Sequence, residues 1–328
     1  MGGTAWSDDT YAARATHRAA TGKSTFAYHD DVASGRVATG AHDSLDPKKI
    51  KGVRESRDSD AHPLSNAVAI CLDVTGSMRS VPVGMQKDLV SLMGLLLRNG
   101  YLPDPAILIS AVGDAYSDRV PFQCGQFESG IEIENDLTNL YLEGAGGGQD
   151  MESYDLFLYF LARKTATDCF EKRGKKAYAF IIGDERAYPK VSRSQVKDVF
   201  GDELEADISL QQIVAEVQEK YELFYVLPNM TGHYTDHAIH KFWTDLLGER
   251  FLKLDDPKGI SALIASTIGA CEGSVDADTL VDDLTKVGYD ASTARSVSKA
   301  IVPVSGSAPK GTPAKVSGSG AGSGLATF

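Results

Sequence analysis

The chain has 328 residues, 42% of them hydrophobic and 24% charged, with a formal net charge of −12. Such a length holds one large domain with extensions, and such a composition is ordinary for a globular protein. The acidic balance argues against a nucleic-acid backbone as the main partner, because phosphate binding needs clustered Lys and Arg, and no apolar run reaches the length of a membrane span.

The first residues, MGGTAWSDDTYAARATHRAATG, lack the apolar stretch of a secretory signal. Trp6 stands where N-myristoylation needs Ser or Thr. Cys71, Cys124, Cys169 and Cys271 are widely spaced with no C-x-x-C pair, so reduced thiols in a cytoplasm are expected. Residues 1–62 are polar and read as an N-terminal extension, mainly a solvated arm. Lys48, Lys49, Lys51, Arg54 and Arg57 form a modest basic cluster in it. An arm packed along the core or a partner is the alternative.

The apolar run Ala67-Val68-Ala69-Ile70-Cys71-Leu72 suits a central strand of a covered parallel sheet. It stops at Asp73-Val74-Thr75-Gly76-Ser77. Three oxygen side chains at alternate positions, with a glycine for the turn, can converge on one point. A carboxylate with hydroxyls is the donor set a hard divalent cation prefers. Helix capping by Thr75 or Ser77 is the plainer use of the same residues. Val83 to Arg98 then predicts a helix, with Met85, Leu89, Leu92, Met93, Leu96 and Leu97 at helical spacing. Ala106 to Val112 predicts a strand and Val120 to Phe127 a short edge strand. Asp114 and Asp118, after the first of these, add acidity to the strand ends or serve as turn residues.

Tyr141 to Asp150 is a glycine-rich stretch leading into a helix expected over Met151 to about Thr165. It lacks the lysine and hydroxyl of a phosphate loop, and Asp150 and Glu152 would repel a phosphate. Ala177 to Ile182 is the next strong strand, ended by Gly183-Asp184-Glu185. The polar stretch from Arg186 to Ala206 is long for a connection and is a candidate partner surface or lid. A helix with Ile208, Ile213, Val214 and Val217 at core spacing and a strand over Leu223 to Leu227 follow. His233, His237 and His240 lie at spacings of four and three, but neither an H-E-x-x-H motif nor a cysteine pair supports zinc there. His233 follows a strand's carboxyl end and belongs on the face of the acidic loops. Asn229-Met230-Thr231 matches a glycosylation sequon and is read as a chance match. Phe251 to Leu254 predicts a last strand and Ile260 to Ile268 a closing helix. Residues 271–304 predict a small helical segment, and residues 305–328, rich in Gly and Ser, a disordered tail.

The D-x-T-x-S segment at Asp73, Thr75 and Ser77 resembles the first loop of the metal-ion-dependent adhesion site (MIDAS) of von Willebrand factor A (VWA) domains. The resemblance covers roughly residues 63–270 and is closest to intracellular VWA proteins of prokaryotic or phage type. It implies an α/β, Rossmann-like, open and mostly parallel sheet with helices on both faces. It also implies a bound Mg²⁺, with Mn²⁺ as the alternative. Aligning the glycine-rich loop puts Asp150 where the family's second loop usually offers Thr, with Gln149 and Ser153 as alternates. Asp184 matches the Asp of the third loop. Glu152, Glu185 and His233 are accessory candidates on the metal face. A third carboxylate in place of a neutral hydroxyl would cancel more of the ion's charge, so tighter intrinsic metal binding and a weaker preference for an acidic partner are expected.

The function expected from this resemblance is metal-dependent protein binding without catalysis. One family-level partner is a MoxR-type AAA+ ATPase. A Mg²⁺-dependent phosphoester hydrolase is the enzymatic alternative, although no G-x-S-x-G, phosphate loop or catalytic pair accompanies it. A structural or particle-associated protein with a vestigial metal site is the third reading.

Overall fold

The computed structural model describes residues 5–76, 78–144, 150–276 and 278–305. In chain order its strands are β1 (Arg54–Ser56), β2 (Asn66–Asp73), β3 (Pro105–Val112), β4 (Phe122–Cys124), β5 (Met151–Glu152), β6 (Thr165–Thr167), β7 (Ala177–Ile182), β8 (Arg186–Ala187), β9 (Lys190–Val191), β10 (Ile208–Ser209), β11 (Tyr221–Pro228) and β12 (Phe251–Leu254). Six of them form the main sheet in the order β12-β11-β7-β2-β3-β4. All its pairings are parallel except β3 with β4. This is the doubly wound, Rossmann-like arrangement expected from the apolar runs. Chain order runs outward in both directions from the β2–β7 boundary, so the loops leaving these two strands diverge there. Open α/β sheets bind ligands at the crevice such a switch point creates.

β2 is buried along its whole length, which is why it reads as a continuous apolar run. Its two faces nevertheless differ. Val68, Ile70 and Leu72 belong to one core with Phe180, Ile182, Phe224 and Val226. Ala67, Ala69 and Cys71 belong to the other with Ala177 and Ala179. The small side chains of the second face admit Phe157, Phe160 and Leu161 from the helix Tyr154–Arg163. Each such side chain contributes about 1.5–3 kcal/mol on full burial. The first face takes the helices Ser80–Lys87, Leu89–Met93 and Ile260–Cys271.

The structure departs from the sequence expectations at four places. The helix expected over 83–98 breaks at Asp88, whose carboxylate accepts the Tyr289 hydroxyl, and it ends in a π turn over Gly94–Arg98. The helix expected from Met151 begins at Tyr154, because Met151 and Glu152 extend to pair with Arg186 and Ala187. The 186–206 stretch carries β8, β9 and the helix Arg193–Phe200, whose Val196, Val199 and Phe200 are buried. The N-terminal segment is not a solvated arm: helices Asp8–Thr21 and Ala27–Ala33 pack on the first face through Tyr11 and Phe26.

The last core helix, Ile260–Cys271, is buried at nearly every position. It is covered by helices Leu280–Val287, Ala291–Ala300 and Val302–Ser305, whose Leu280, Leu284, Val297 and Val304 join the same core. The Gly/Ser-rich stretch beyond Ser305 lies outside the described residues. Among the described residues no helix is long and apolar enough to cross a membrane.

Candidate metal centre

Asp73 is the last residue of β2 and is completely buried. Its Oδ1 accepts from the Thr75 amide at 2.9 Å and from the Thr75 hydroxyl at 2.6 Å. An aspartate that binds the backbone two residues on turns the chain sharply. Its Oδ2 accepts from the Tyr154 hydroxyl at 2.6 Å. The Val74 carbonyl accepts from the Gly144 amide at 3.2 Å. A Cβ on Gly76 would lie 3.3 Å from the Gly144 carbonyl oxygen, so the first loop rests directly against the start of the glycine-rich loop. Ser77 and Gln149, two of the expected donors, lie outside the described residues.

The loop after β7 meets the first loop through Tyr154. A Cβ on Gly183 would stand 2.1 Å from the Tyr154 hydroxyl, so only glycine here lets that tyrosine reach Asp73. The next residue, Asp184, is completely buried. Its Oδ2 accepts from the Thr231 hydroxyl at 2.8 Å, and His233 Nδ1 is 3.4 Å from the same oxygen. The Glu185 carbonyl accepts from the Tyr225 hydroxyl and from Trp243 Nε1, both at 2.9 Å. Those two rings stack with centroids 3.7 Å apart. Glu185 is thereby held from its backbone while its carboxylate stays available.

The segment between these loops presents Glu152, which is 2% exposed and whose Oε2 has no hydrogen-bond partner. The Ser153 hydroxyl accepts from the Ala115 amide at 2.9 Å, tying this segment to the exit of β3. Asp114, also buried there, accepts from the Tyr116 amide and from the hydroxyls of Tyr188 and Ser117, each at 3.0 Å. Asp150 is the exposed acid of this edge: its side chain is 76% exposed and lies 3.7 Å from Arg186, and its charge is among those acting on Glu185. Thus Asp73, Thr75 and Asp184 come together at the switch point, Glu152, Ser153, Glu185 and His233 stand along the same edge, and Asp150 faces solvent. His237 and His240 do not join them; His240 Nε2 contacts the Tyr234 carbonyl at 2.8 Å.

The electrostatics follow from the burial. Burial first, then the charge of Asp184, pushes Asp73 up to about 6 against the hydrogen bonds from Thr75 and Tyr154. Burial, then Asp184 and Asp73, pushes Glu185 up to about 8. Glu152 is pushed upward by burial and then by Asp73 and Glu185. The donors that orient Asp73 and Asp114 are hydroxyls and amides, which leave the negative charge in place.

This donor set fits a divalent cation. Buried oxygens of Glu152 and Glu185 and Nδ1 of His233 have no hydrogen-bond partner. Ligand atoms of Asp184, Glu185 and His233 all lie within 4.8 Å of one another. Buried carboxylates in that density either hold protons or gather a cation.

No protein-family model matches the chain, and no curated protein sequence matches it. Among solved structures it is similar to the pilus adhesin SpaC of Lactobacillus rhamnosus GG in its open conformation, with TM-score 0.44 and 10% identity over 67% of this chain and 31% of the adhesin. It is also similar to proximal thread matrix protein 1 of the mussel byssus, with TM-score 0.40 and 7% identity over 66% of this chain and 47% of that one. The form of the byssus protein with a zinc-occupied MIDAS motif gives TM-score 0.40 and 8% identity over 61% and 46%. The chain thus spans about a third of the adhesin and under half of the byssus protein.

Sequence reasoning passed over Tyr154, Thr231, Tyr225 and Trp243. Thr231 sits in the Asn229-Met230-Thr231 triplet, where its hydroxyl was open to a use other than glycosylation. Tyr154 carried no signal of its own, because its partner is 81 residues away.

Proposed function

We propose that the chain is a metal-dependent protein-binding module of VWA type. Its cation lies at the switch point between β2 and β7, and the partner supplies a carboxylate. The observation that supports this most is the convergence of buried Asp73 and Asp184, with Asp73 accepting from the Thr75 and Tyr154 hydroxyls and Asp184 from the Thr231 hydroxyl. The hydroxyl donors on Asp73 orient its carboxylate without supplying a compensating positive charge, a role left for a cation. The oxygen donors of Asp73 and Thr75 are those that Mg²⁺ or Mn²⁺ prefers. A bound divalent cation would supply the Lewis acidity that attracts a partner's carboxylate. Tyr225 and Trp243 keep the Glu185 backbone in register, and Gly183 leaves room for Tyr154 to hold Asp73. Cytoplasmic residence and a MoxR-type AAA+ ATPase as partner belong to the same proposal.

The test is capture of partners from the native host with the wild-type chain and with Asp73→Ala, each with Mg²⁺ and with EDTA. A protein captured only by the wild type with Mg²⁺ supports the proposal and names the ligand. A protein captured equally in all four conditions overturns it.

A further inference from the structure

The histidine after β11 is placed in a way that the oxygen-donor reading leaves unused. Thr231 donates its hydroxyl to Asp184 Oδ2 at 2.8 Å, and the same hydroxyl accepts from the His233 amide at 3.3 Å. One threonine therefore fixes the loop after β11 against the loop after β7. His233 Nδ1 is a buried atom without a hydrogen-bond partner, although the ring as a whole is 35% exposed. It lies 3.4 Å from Asp184 Oδ2, too far for a good hydrogen bond. Two donors each about 2.0–2.1 Å from one tetrahedral metal stand about 3.4 Å apart. The third donor, Glu185, has its backbone carbonyl fixed by Tyr225 and Trp243 and an oxygen without a hydrogen-bond partner. All three ligand atoms fall within 4.8 Å of one another. Glu152, almost completely buried, brings a further oxygen without a hydrogen-bond partner to the same edge.

We infer that Asp184, Glu185 and His233 form a mixed oxygen–nitrogen site for a borderline transition-metal cation of the Mn²⁺ or Zn²⁺ class. This deepens the reading above, with which it shares Asp184. An imidazole ligand changes which ion is held. Mg²⁺ demands near-ideal octahedral oxygen coordination and keeps its water, whereas Mn²⁺ and Zn²⁺ accept a neutral nitrogen beside carboxylates. The centre thereby takes its selectivity from the loop after β11, and the acidic loops alone would not supply it.

The experiment uses the full chain stripped of metal and reloaded with Mn²⁺, Zn²⁺ or Mg²⁺. Electron spin-echo modulation of the Mn²⁺ form reads a directly bound ¹⁴N, and chelator competition reads Zn²⁺ and Mg²⁺ affinity. The wild type is expected to show ¹⁴N coupling and to bind Zn²⁺ at least tenfold more tightly than Mg²⁺. His233→Ala and His233→Asn are expected to lose the coupling and at least tenfold of the Zn²⁺ affinity, while thermal midpoint and Mg²⁺ affinity stay within about twofold or a degree or two. His237→Ala and His240→Ala are expected to leave both readouts unchanged. Absence of ¹⁴N coupling in the wild type, or coupling and Zn²⁺ affinity that persist in both His233 variants, overturns the inference. The two proposals fail separately. Partner capture that depends on Asp73 without ¹⁴N coupling leaves the binding function standing, and ¹⁴N coupling with chelator-insensitive capture leaves the metal site standing.

Discussion

At the amino edge of the sheet, Asp168 accepts from Lys172 at 2.6 Å and from Arg57 at 2.8 Å, Arg173 holds Asp58 at 2.8 Å, and Lys175 holds Glu272 at 2.7 Å. At the carboxyl edge, Asp73 is met by a threonine and a tyrosine, and Asp114 by a tyrosine and a serine. One aspartate from each edge, Asp168 and Asp73, is pushed in opposite directions. Burial opposes ionisation of Asp168, but hydrogen bonds from Lys172, the Asp58 amide and Arg57 outweigh it and hold this acid down at about 2. Burial and neighbouring acids carry Glu185 up to about 8. Acids with basic partners are finished structural joints. Acids with neutral partners are oriented yet uncompensated, and only the second kind is prepared for a cation from outside.

The largest expected effect tests that division directly. Asp73→Ala should lower cation-dependent partner binding by at least about 100-fold, whereas Asp168→Ala should leave that binding intact and cost about 2 kcal/mol of stability through lost charged hydrogen bonds. Titration binding and urea unfolding of both variants separate the edges; loss of partner binding in Asp168→Ala would erase the distinction. Gly183→Ala comes next. Its methyl would meet the Tyr154 hydroxyl at 2.1 Å, so about 1–3 kcal/mol of overpacking strain is expected. Metal affinity should fall with it as Tyr154 withdraws from Asp73, and calorimetry with a metal titration reads both.

The edges should also part with pH. Asp73 and Glu185 hold protons more tightly in the folded chain than in the unfolded one, with folded values of about 6 and about 8. The metal-free protein should therefore lose stability as pH rises from about 4 to about 8, and Mn²⁺ should restore more at the upper end. Asp168 has the opposite sign: its contribution is present above its unfolded value and is lost as pH falls from about 4 towards about 2. Thermal scans across pH with and without Mn²⁺ check this, and a metal-free midpoint that climbs from pH of about 5 to about 8 would contradict it. The smallest effect belongs to Asp150→Asn. With its side chain 76% exposed, it should shift stability by less than about 0.5 kcal/mol and metal affinity by less than about twofold. A tenfold loss of affinity would return Asp150 to the centre.

The sheet was legible because β2, β3, β7 and β11 are apolar runs closed by polar turns, and burial on both faces writes that pattern directly. The placement of Asp73 and Asp184 at the carboxyl ends of β2 and β7 was legible for a related reason, since each follows directly on an apolar run. The N-terminal helices were not. Helix Asp8–Thr21 has Tyr11 as its one buried residue, so no apolar run marks its inner face, and its anchoring bond is a tyrosine hydroxyl reaching the Gln86 carbonyl. The start of the helix at Tyr154 was hidden likewise, because Met151 and Glu152 become extended by pairing with residues far along the chain. Thr231 and Tyr154 act through partners in other loops, and no local spacing records such a contact.

The enclosure of helix Ile260–Cys271 carries a consequence for biosynthesis. Its covering residues, through Val304, follow it in the chain. Translation at about 5–20 residues per second leaves several seconds between the helix and the last of its cover. Through that interval a helix apolar on nearly every side lacks the cover of the segments that follow it. The nascent chain is then most open to chaperone capture or self-association, and synonymous codons that slow elongation over 280–304 would lengthen the exposure without altering the finished protein.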